Sequence, residues 1–166
     1  VDIATSMQLA SLSSAQVAAL QSAQVVAIGS ADIKGLLAID GLSTQATLAL
    51  APEEIIGLTS TQIRALTTAQ LKSLSRDQLT ALTTPQLGAI RLESLPAIPS
   101  STLVALPQLG SLTSQFLVAL NSGVINALTT VQIQSFSRAN FAALTTEQYV
   151  ALTTNQLAAL RVSQVA

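Results

Sequence analysis

The chain has 166 residues, a net charge of −1, no cysteine and no histidine. The lack of both residue types excludes disulfides, thiol chemistry and the usual zinc sites. The near-zero net charge gives no electrostatic basis for binding nucleic acid or an anionic membrane. Since no run of roughly 18 apolar residues occurs, we expect no transmembrane helix.

From Thr5 onwards the chain divides into short repeats. In chain order they are four octads (5–36), a six-residue repeat (37–42), eight octads (43–106), a second six-residue repeat (107–112), six octads (113–160) and the start of another (161–166).

The octads share one formula, which is clearest in residues 59–90. Position 1 is usually Thr or Ser, position 4 is most often Gln, position 5 is apolar, position 7 is small and position 8 is Leu, Ile or Phe. Positions 2, 3 and 6 vary and carry nearly all the charges. A fixed period of this kind predicts a repeat architecture.

The spacing within each octad predicts a helix. Positions 5 and 8 are three residues apart, which places them on one face of a helix but on opposite faces of a strand. The hydroxyl at position 1 and the Gln at position 4 fit a capping box, and Pro52 and Pro85 fall in the first turn, where proline costs no hydrogen bond. The predicted capping residues are Thr59, Gln62, Thr67, Gln70, Ser75, Gln78, Thr83, Gln86, Thr129, Gln132, Thr145, Gln148, Thr153 and Gln156.

These helices are expected to stack. In a continuous helix, eight residues would rotate the apolar stripe ~80° beyond two full turns, so the chain must bend at each cap. One octad gains ~3–6 kcal/mol from apolar burial but loses ~8–16 kcal/mol of backbone entropy. We therefore predict an all-α solenoid or superhelix of about twenty very short capped helices, one per eight-residue repeat, with residues 1–166 forming a single array.

The two six-residue repeats, 37–42 and 107–112, lie 70 residues apart and are candidate block boundaries. This spacing indicates a superhelical turn or structural block of seventy residues, or else two unrelated deletions. The pattern is loosest across 91–107, where Pro96 at position 6 is expected to end or kink its helix. A bend or boundary is expected there rather than a flexible linker.

Charged residues offer few candidate sites. Arg64, Lys72 and Arg76 would form a basic strip on adjacent repeats, but the low overall charge favours an ordinary solvated face. Glu53 and Glu54 have no nucleophile or second acid nearby, so we expect a favourable charge effect at a helix N-terminus. We predict no catalytic residue, no metal or cofactor site and therefore no enzyme activity.

The uncharged candidates have simple structural alternatives. The repeated Gln would form a ladder along the solenoid or bind a ligand, although capping is the simpler role. Phe116, Phe136, Phe141 and Tyr149 would line a partner groove, but core packing is favoured because three of them occupy position 5 or 8. The Thr pairs are similar to those of ice-binding β-solenoids, which is a distant alternative.

Residues 59–90 and 145–160 carry a resemblance to a known class. They resemble the L-T-T-x-Q-[L/I/V]-x-A-L octapeptide arrays of long bacterial secreted and surface proteins, some of them adhesin-like. The resemblance implies export to the cell surface or medium and a scaffold or adhesion role. Because the chain begins at Val1 and stops within a repeat, we expect a fragment of a longer array.

We therefore expect a non-catalytic structural repeat region that acts as a spacer, stalk or adhesive scaffold. The alternative is a superhelical module that binds a protein or peptide, and the distant alternative is a β-solenoid fibre or ice-binding element. We expect no cofactor, no nucleic-acid partner, no membrane insertion, intramolecular stacking of the repeats, and either an unknown protein partner or none.

Overall fold

The computed structural model describes residues 5–165, so residues 1–4 and Ala166 of the predicted array lie outside the described residues. The chain forms two compact units, Val1–Ile90 and Arg91–Ala166. Regular structure in the described residues is entirely helical, without strands. The all-α prediction is confirmed and the β-solenoid alternative is wrong. Among these residues we find no helix with the length and apolar character needed to cross a membrane.

In the first unit the described α-helices are α1 (Ser6–Leu9), α2 (Ser14–Ala18), α3 (Ser22–Val26), α4 (Thr44–Ala49), α5 (Pro52–Gly57), α6 (Ser60–Ala65), α7 (Thr68–Ser73), α8 (Arg76–Ala81) and α9 (Thr84–Ala89). The first unit also contains the 3₁₀ helices Ile33–Gly35 and Ile39–Gly41. In the second unit the described α-helices are α10 (Ser100–Val104), α11 (Ser114–Val118), α12 (Ser122–Ala127), α13 (Thr130–Ser135), α14 (Arg138–Ala142), α15 (Thr146–Ala151), α16 (Thr154–Ala158) and α17 (Val162–Val165). The second unit also contains the 3₁₀ helices Leu92–Ala97 and Leu109–Ser111.

In the octads whose α-helix has six residues, the backbone is extended on both sides of that helix. In the octad 67–74, the N-cap Thr67 has φ −69° and ψ 159°, and Leu74 after the helix has ψ 135°. These extended residues redirect the chain between consecutive helices. The octad therefore forms a helix of about one and a half turns followed by a bend, as its formula predicts.

Four repeats that depart from the formula form 3₁₀ helices: the octads 29–36 and 91–98 and the six-residue repeats 37–42 and 107–112. Pro96 lies inside the helix Leu92–Ala97 and neither ends it nor leaves it α-helical. The tighter i to i+3 bonds, such as Ile98 N to Leu95 O at 3.0 Å, continue past the proline. The six-residue repeat 37–42 forms a single 3₁₀ turn that still buries Ile39 and Leu42.

The core of each unit is formed by positions 5 and 8. In the octad 75–82, for example, Leu79 and Leu82 are 1% and 0% exposed. Thr47 is the polar exception at position 5 and is fully buried. Its hydroxyl donates to the Ser43 carbonyl oxygen at 2.9 Å, so the buried polar group is satisfied.

Helices pack against the helix three repeats earlier. In the first unit α4 contacts α7, α5 contacts α8, and α6 contacts α9. In the second unit α11 contacts α14, α12 contacts α15, and α13 contacts α16. Each unit is therefore a solenoid, and we call one superhelical turn a coil. A coil closes within a few repeats, so the interpretation of seventy residues as one superhelical turn is wrong; the seventy-residue block remains a prediction.

Position 7 is small because it lies against the backbone of the preceding coil. A Cβ on Gly41 would lie 2.9 Å from the Ser14 carbonyl oxygen. A Cβ on Gly57 would collide with the Ser30 carbonyl oxygen. Most octads accommodate Ala at position 7, whereas at Gly41 and Gly57 the two coils approach one another more closely.

This close approach predicts opposite effects for two Gly→Ala substitutions in the first unit, one in α5 and one in α9. Gly57→Ala should lower the free energy of unfolding by about 1–3 kcal/mol because its Cβ meets backbone. Gly88→Ala should raise it by up to about 1 kcal/mol, since nothing lies within 4 Å of its Cβ position. Equilibrium urea denaturation checks both values. Equal changes in the same direction would contradict the close contact at position 7.

Candidate functional site

The position-4 glutamine first acts within its own octad. Gln62 Oε1 accepts a hydrogen bond from the Thr59 backbone N–H at 2.8 Å and from the Thr59 hydroxyl at 3.0 Å. The Thr59 hydroxyl oxygen also accepts from the Gln62 backbone N–H at 3.2 Å. Together these bonds satisfy N–H groups that a helix start leaves without intrahelical partners.

The structure places all seven predicted cap pairs in comparable contact. In each, the backbone N–H of position 1 donates to the position-4 Oε1 at 2.7–3.0 Å. Thr83 differs in one bond, because its hydroxyl donates to Gln86 Oε1 at 2.9 Å and does not accept from the Gln86 backbone N–H. The pairs are Thr59/Gln62, Thr67/Gln70, Ser75/Gln78, Thr83/Gln86, Thr129/Gln132, Thr145/Gln148 and Thr153/Gln156.

The other end of the same amide reaches the preceding coil. Gln78 Nε2 donates toward the carbonyl oxygens of Thr47 at 3.1 Å, Leu48 at 3.1 Å and Leu50 at 2.6 Å. The Gln78 side chain is 2% exposed. Leu50 precedes Gln78 by 28 residues, which is three and a half octads. This distance along the chain is one coil.

The contact between coils recurs in both units. In every case the Nε2 group donates to carbonyl oxygens at positions 5, 6 or 8 of the repeat four before it, at 2.6–3.4 Å. The glutamines are Gln62, Gln70, Gln78 and Gln86 in the first unit and Gln132, Gln148, Gln156 and Gln164 in the second. Asn140 makes the same kind of bond to the Leu112 carbonyl oxygen at 3.0 Å.

The primary amide of glutamine has the groups that both of these contacts use. Its oxygen accepts two hydrogen bonds and its nitrogen donates two, and Gln62 uses all four, two to Thr59 and two to the carbonyl oxygens of Ile33 and Leu36. A buried polar group is tolerated when its hydrogen bonds are made. The glutamine therefore joins a helix start to the coil beneath it.

Sequence reasoning missed this second role, although the repeat contained a signal for it. Glu serves a capping box as well as Gln does. Yet position 4 holds Gln in eleven repeats and Glu in one, Glu54. A preference this strong indicates that the side-chain N–H₂ group is used, which capping alone does not require.

Glu54 allows the preference for Gln over Glu at position 4 to be tested. It is 6% exposed, and its Oε2 accepts from the Ala51 backbone N–H at 2.7 Å. The carboxylate lies in the first turn of α5, where the predicted helix-terminus effect applies. It caps the helix but has no N–H₂ group to donate to the preceding coil.

We expect Glu54→Gln to raise the free energy of unfolding by about 1–2 kcal/mol, because the amide supplies donors and removes a buried charge. Urea denaturation measures the change. The matched control is Glu53→Gln on the exposed neighbour, where we expect a change within about 0.5 kcal/mol. A neutral or destabilising Glu54→Gln, with the control unchanged, would contradict the role of the amide nitrogen.

The remaining candidates occupy ordinary positions. Arg64 and Lys72 are exposed on successive helices, and Arg76 begins the next. These cations lie on the solvent side and not in a cleft. They add no geometry that favours a binding site over a solvated face.

Three aromatic side chains lie in the core of the second unit. Phe116, Phe136 and Phe141 are 1–3% exposed. Tyr149 is 37% exposed, and its hydroxyl donates to the Phe141 carbonyl oxygen at 2.7 Å. The Tyr149 and Phe141 rings meet edge to face, 5.2 Å apart. Core packing therefore accounts for the phenylalanines, and the tyrosine lies at the surface.

Comparison with known protein families shows that residues 55–91 are similar to the ALTTAQ repeat. The matched segment includes the octads 59–90, whose four glutamines make the bonds between coils described above. The match supports a structural repeat region. A search of curated proteins finds no match to the chain.

Proposed function

We propose that the chain is a non-catalytic structural repeat region that serves as a spacer or stalk. The observation that supports this proposal is the glutamine bond between coils, repeated along both units. When each repeat contacts only near neighbours, stability becomes a sum of local terms and length changes without loss of fold.

The chemistry of the repeat supports a scaffold role over a catalytic one. The amide of Gln78 makes its hydrogen bonds within the chain, and the apolar side chains at positions 5 and 8 form the core. The side chains exposed to solvent are mainly those at positions 2, 3 and 6, which in the octad 67–74 are Thr68, Ala69 and Lys72. A surface of small and varied side chains suits a spacer.

We further propose that this spacer belongs to a bacterial secreted or surface protein and holds an adhesive or other functional region away from the cell. The resemblance of the octads 59–90 and 145–160 to such arrays supports this location. Antibody labelling of intact cells that produce the parent protein tests it. Labelling that appears only after the cells are opened would contradict a surface position.

A spacer is tested most directly by its length. Extra copies of residues 59–74, two octads, inserted after Leu74 should each add the same increment to the maximum dimension. Small-angle X-ray scattering measures that dimension, and far-UV circular dichroism reports whether helix content per residue is kept. A dimension that hardly grows while mass increases would contradict the spacer.

A second candidate function is peptide binding, which an apolar groove in the second unit favours. The groove has a volume of about 500 Å³ and is lined by Leu92, Ser114, Gln115, Val118, Ala119 and Ala143. A selection of displayed peptides against the chain and against a Val118→Asp variant tests this function. Peptides that bind the chain but not the variant would support it, and an empty selection would leave the spacer.

A further inference from the structure

The groove of the second unit has apolar side chains at positions that the repeat otherwise exposes to solvent. Leu92 is at position 2 and Val118 at position 6, and each side chain is 37% exposed. In the octad 67–74 the same two positions hold Thr68 and Lys72. Because water contacts the apolar lining of this groove of about 500 Å³, covering the lining with an aliphatic side chain is favourable.

One end of the groove is polar and the other is apolar. Ser114 and Gln115 line it at the start of α11, whereas Val118 and Ala119 line it at the end of α11. The Ser114 hydroxyl donates to Asn140 Oδ1 at 3.5 Å, which places the start of α14 beside the start of α11. A bound molecule would therefore meet polar groups at one end and apolar side chains at the other.

Arginines flank the polar end of the groove. Arg138 is the first residue of α14, two residues before Asn140, and its side chain is exposed. Arg91 directly precedes Leu92, and its Nε lies 3.8 Å from Glu93 Oε1 in a surface pair of a kind that contributes little. One arginine is three repeats before α11 and the other three repeats after it, so they belong to the coils on either side of α11.

The charges of the second unit are distributed unevenly among its stacked helices. Its charged side chains are Arg91, Glu93, Arg138, Glu147 and Arg161. Arg161 begins the repeat of α17, which packs against α14, whereas Glu147 is on α15, which packs against α12. The repeats that stack with α11 and α14 therefore carry all three arginines of the second unit and one of its two glutamates.

We propose that the groove binds an acidic aliphatic peptide segment of another protein. Its aliphatic side chains pack against Val118 and Ala119, and its carboxylates lie beside Arg138 and Arg91. Apolar contact supplies most of the affinity, and the complementary charge selects acidic over basic segments. This proposal rests on peptide binding, the second candidate function, and names the class of peptide. The spacer function does not depend on it.

Exchange of charge between the groove and the peptide tests the proposal. Peptides selected by display on the unchanged chain should be enriched in Asp and Glu beside their aliphatic residues. The tightest binder is compared by fluorescence anisotropy with a copy that has Lys in place of each Asp or Glu. Arg138→Glu should bind the acidic peptide about fivefold more weakly, or less tightly still, than the unchanged chain does. It should bind the lysine copy more tightly, whereas a merely structural effect would weaken both.

Arg76→Glu is the matched control, because Arg76 is also exposed at position 2, in the octad 75–82 of the first unit. It should bind both peptides as the unchanged chain does. Each substitution places an acidic residue in the first turn of a helix, which favours that helix. Circular dichroism should therefore show unchanged helix content for both variants.

The outcomes distinguish the charge preference from peptide binding itself. If Val118→Asp abolishes binding but the charge exchange changes nothing, the groove binds peptides without the proposed preference and the proposal is overturned. Selected peptides that are neutral or basic would overturn it in the same way. An empty selection, or binding that survives Val118→Asp, would overturn peptide binding at the groove and this proposal with it.

Discussion

Gln78→Glu should lower the free energy of unfolding by about 3 kcal/mol or more. The carboxylate keeps an oxygen for the Ser75 backbone N–H, which Gln78 Oε1 accepts at 2.7 Å. It loses the donors to the carbonyl oxygens of Thr47, Leu48 and Leu50 and places a charge beside them in a site that is 2% exposed. Urea denaturation at low protein concentration, followed by far-UV circular dichroism, measures the loss.

Gln16→Glu is the matched control for this substitution. Gln16 caps its helix through the same bond, from the Ser13 backbone N–H at 2.9 Å, but its side chain is exposed and has no coil beneath it among the described residues. Since Glu also serves a capping box, we expect a change within about 0.5 kcal/mol. Equal losses in the two variants would mean that capping alone explains the glutamine.

Leu87→Ala should lower the free energy of unfolding by about 2–5 kcal/mol. Leu87 is at position 5 of the octad 83–90 and is 0% exposed. Truncation removes apolar area and leaves a cavity between α9 and α6, the helix three repeats earlier. Because the core is only two apolar positions wide in each octad, few neighbouring side chains can move to fill the space.

Leu157→Ala is the same substitution at position 5 of the octad 153–160, where the side chain is 47% exposed. The expected loss is under about 1 kcal/mol, since much of the side chain already contacts water. Both variants are measured by urea denaturation at a concentration where the chain is a single copy. Losses of similar size would contradict the account in which coverage by the next coil creates the core.

The local structure was predictable because it follows from relations inside one octad. The three-residue spacing of positions 5 and 8 predicts one buried helix face, and Leu79 and Leu82 form it. The pairing of Thr67 with Gln70 predicts the cap geometry that the structure contains. Such relations span three residues, so they are visible in any single repeat.

The relation between coils was not predictable in the same way. Its period of 28 residues depends on the angle at which extended residues such as Leu74 redirect the chain, and on how closely small residues such as Gly57 let the coils approach. Neither quantity is contained in a repeat of eight letters. The seventy-residue spacing of the short repeats therefore suggested a superhelical turn that the structure does not have.

Individual departures from the formula also required coordinates. Asp32 stands at position 4, yet it accepts from the Ser6 backbone N–H of the preceding coil at 2.9 Å, which reverses the direction of the glutamine bond. Phe116 and Val124 occupy position 4 with apolar side chains and are 1% and 0% exposed. At these two positions of the second unit, a buried apolar side chain stands in place of the glutamine.

Exchange of side-chain amide protons with solvent, measured by NMR on ¹⁵N-labelled protein, tests the glutamine bonds most directly. Gln78 and Gln16 share the same cap, but Gln78 also donates to the preceding coil. We predict that the Nε2 protons of Gln78 exchange at least tenfold more slowly than those of Gln16, because they are buried and hydrogen-bonded. Equal exchange at the two residues would contradict the bond between coils on which the structure depends.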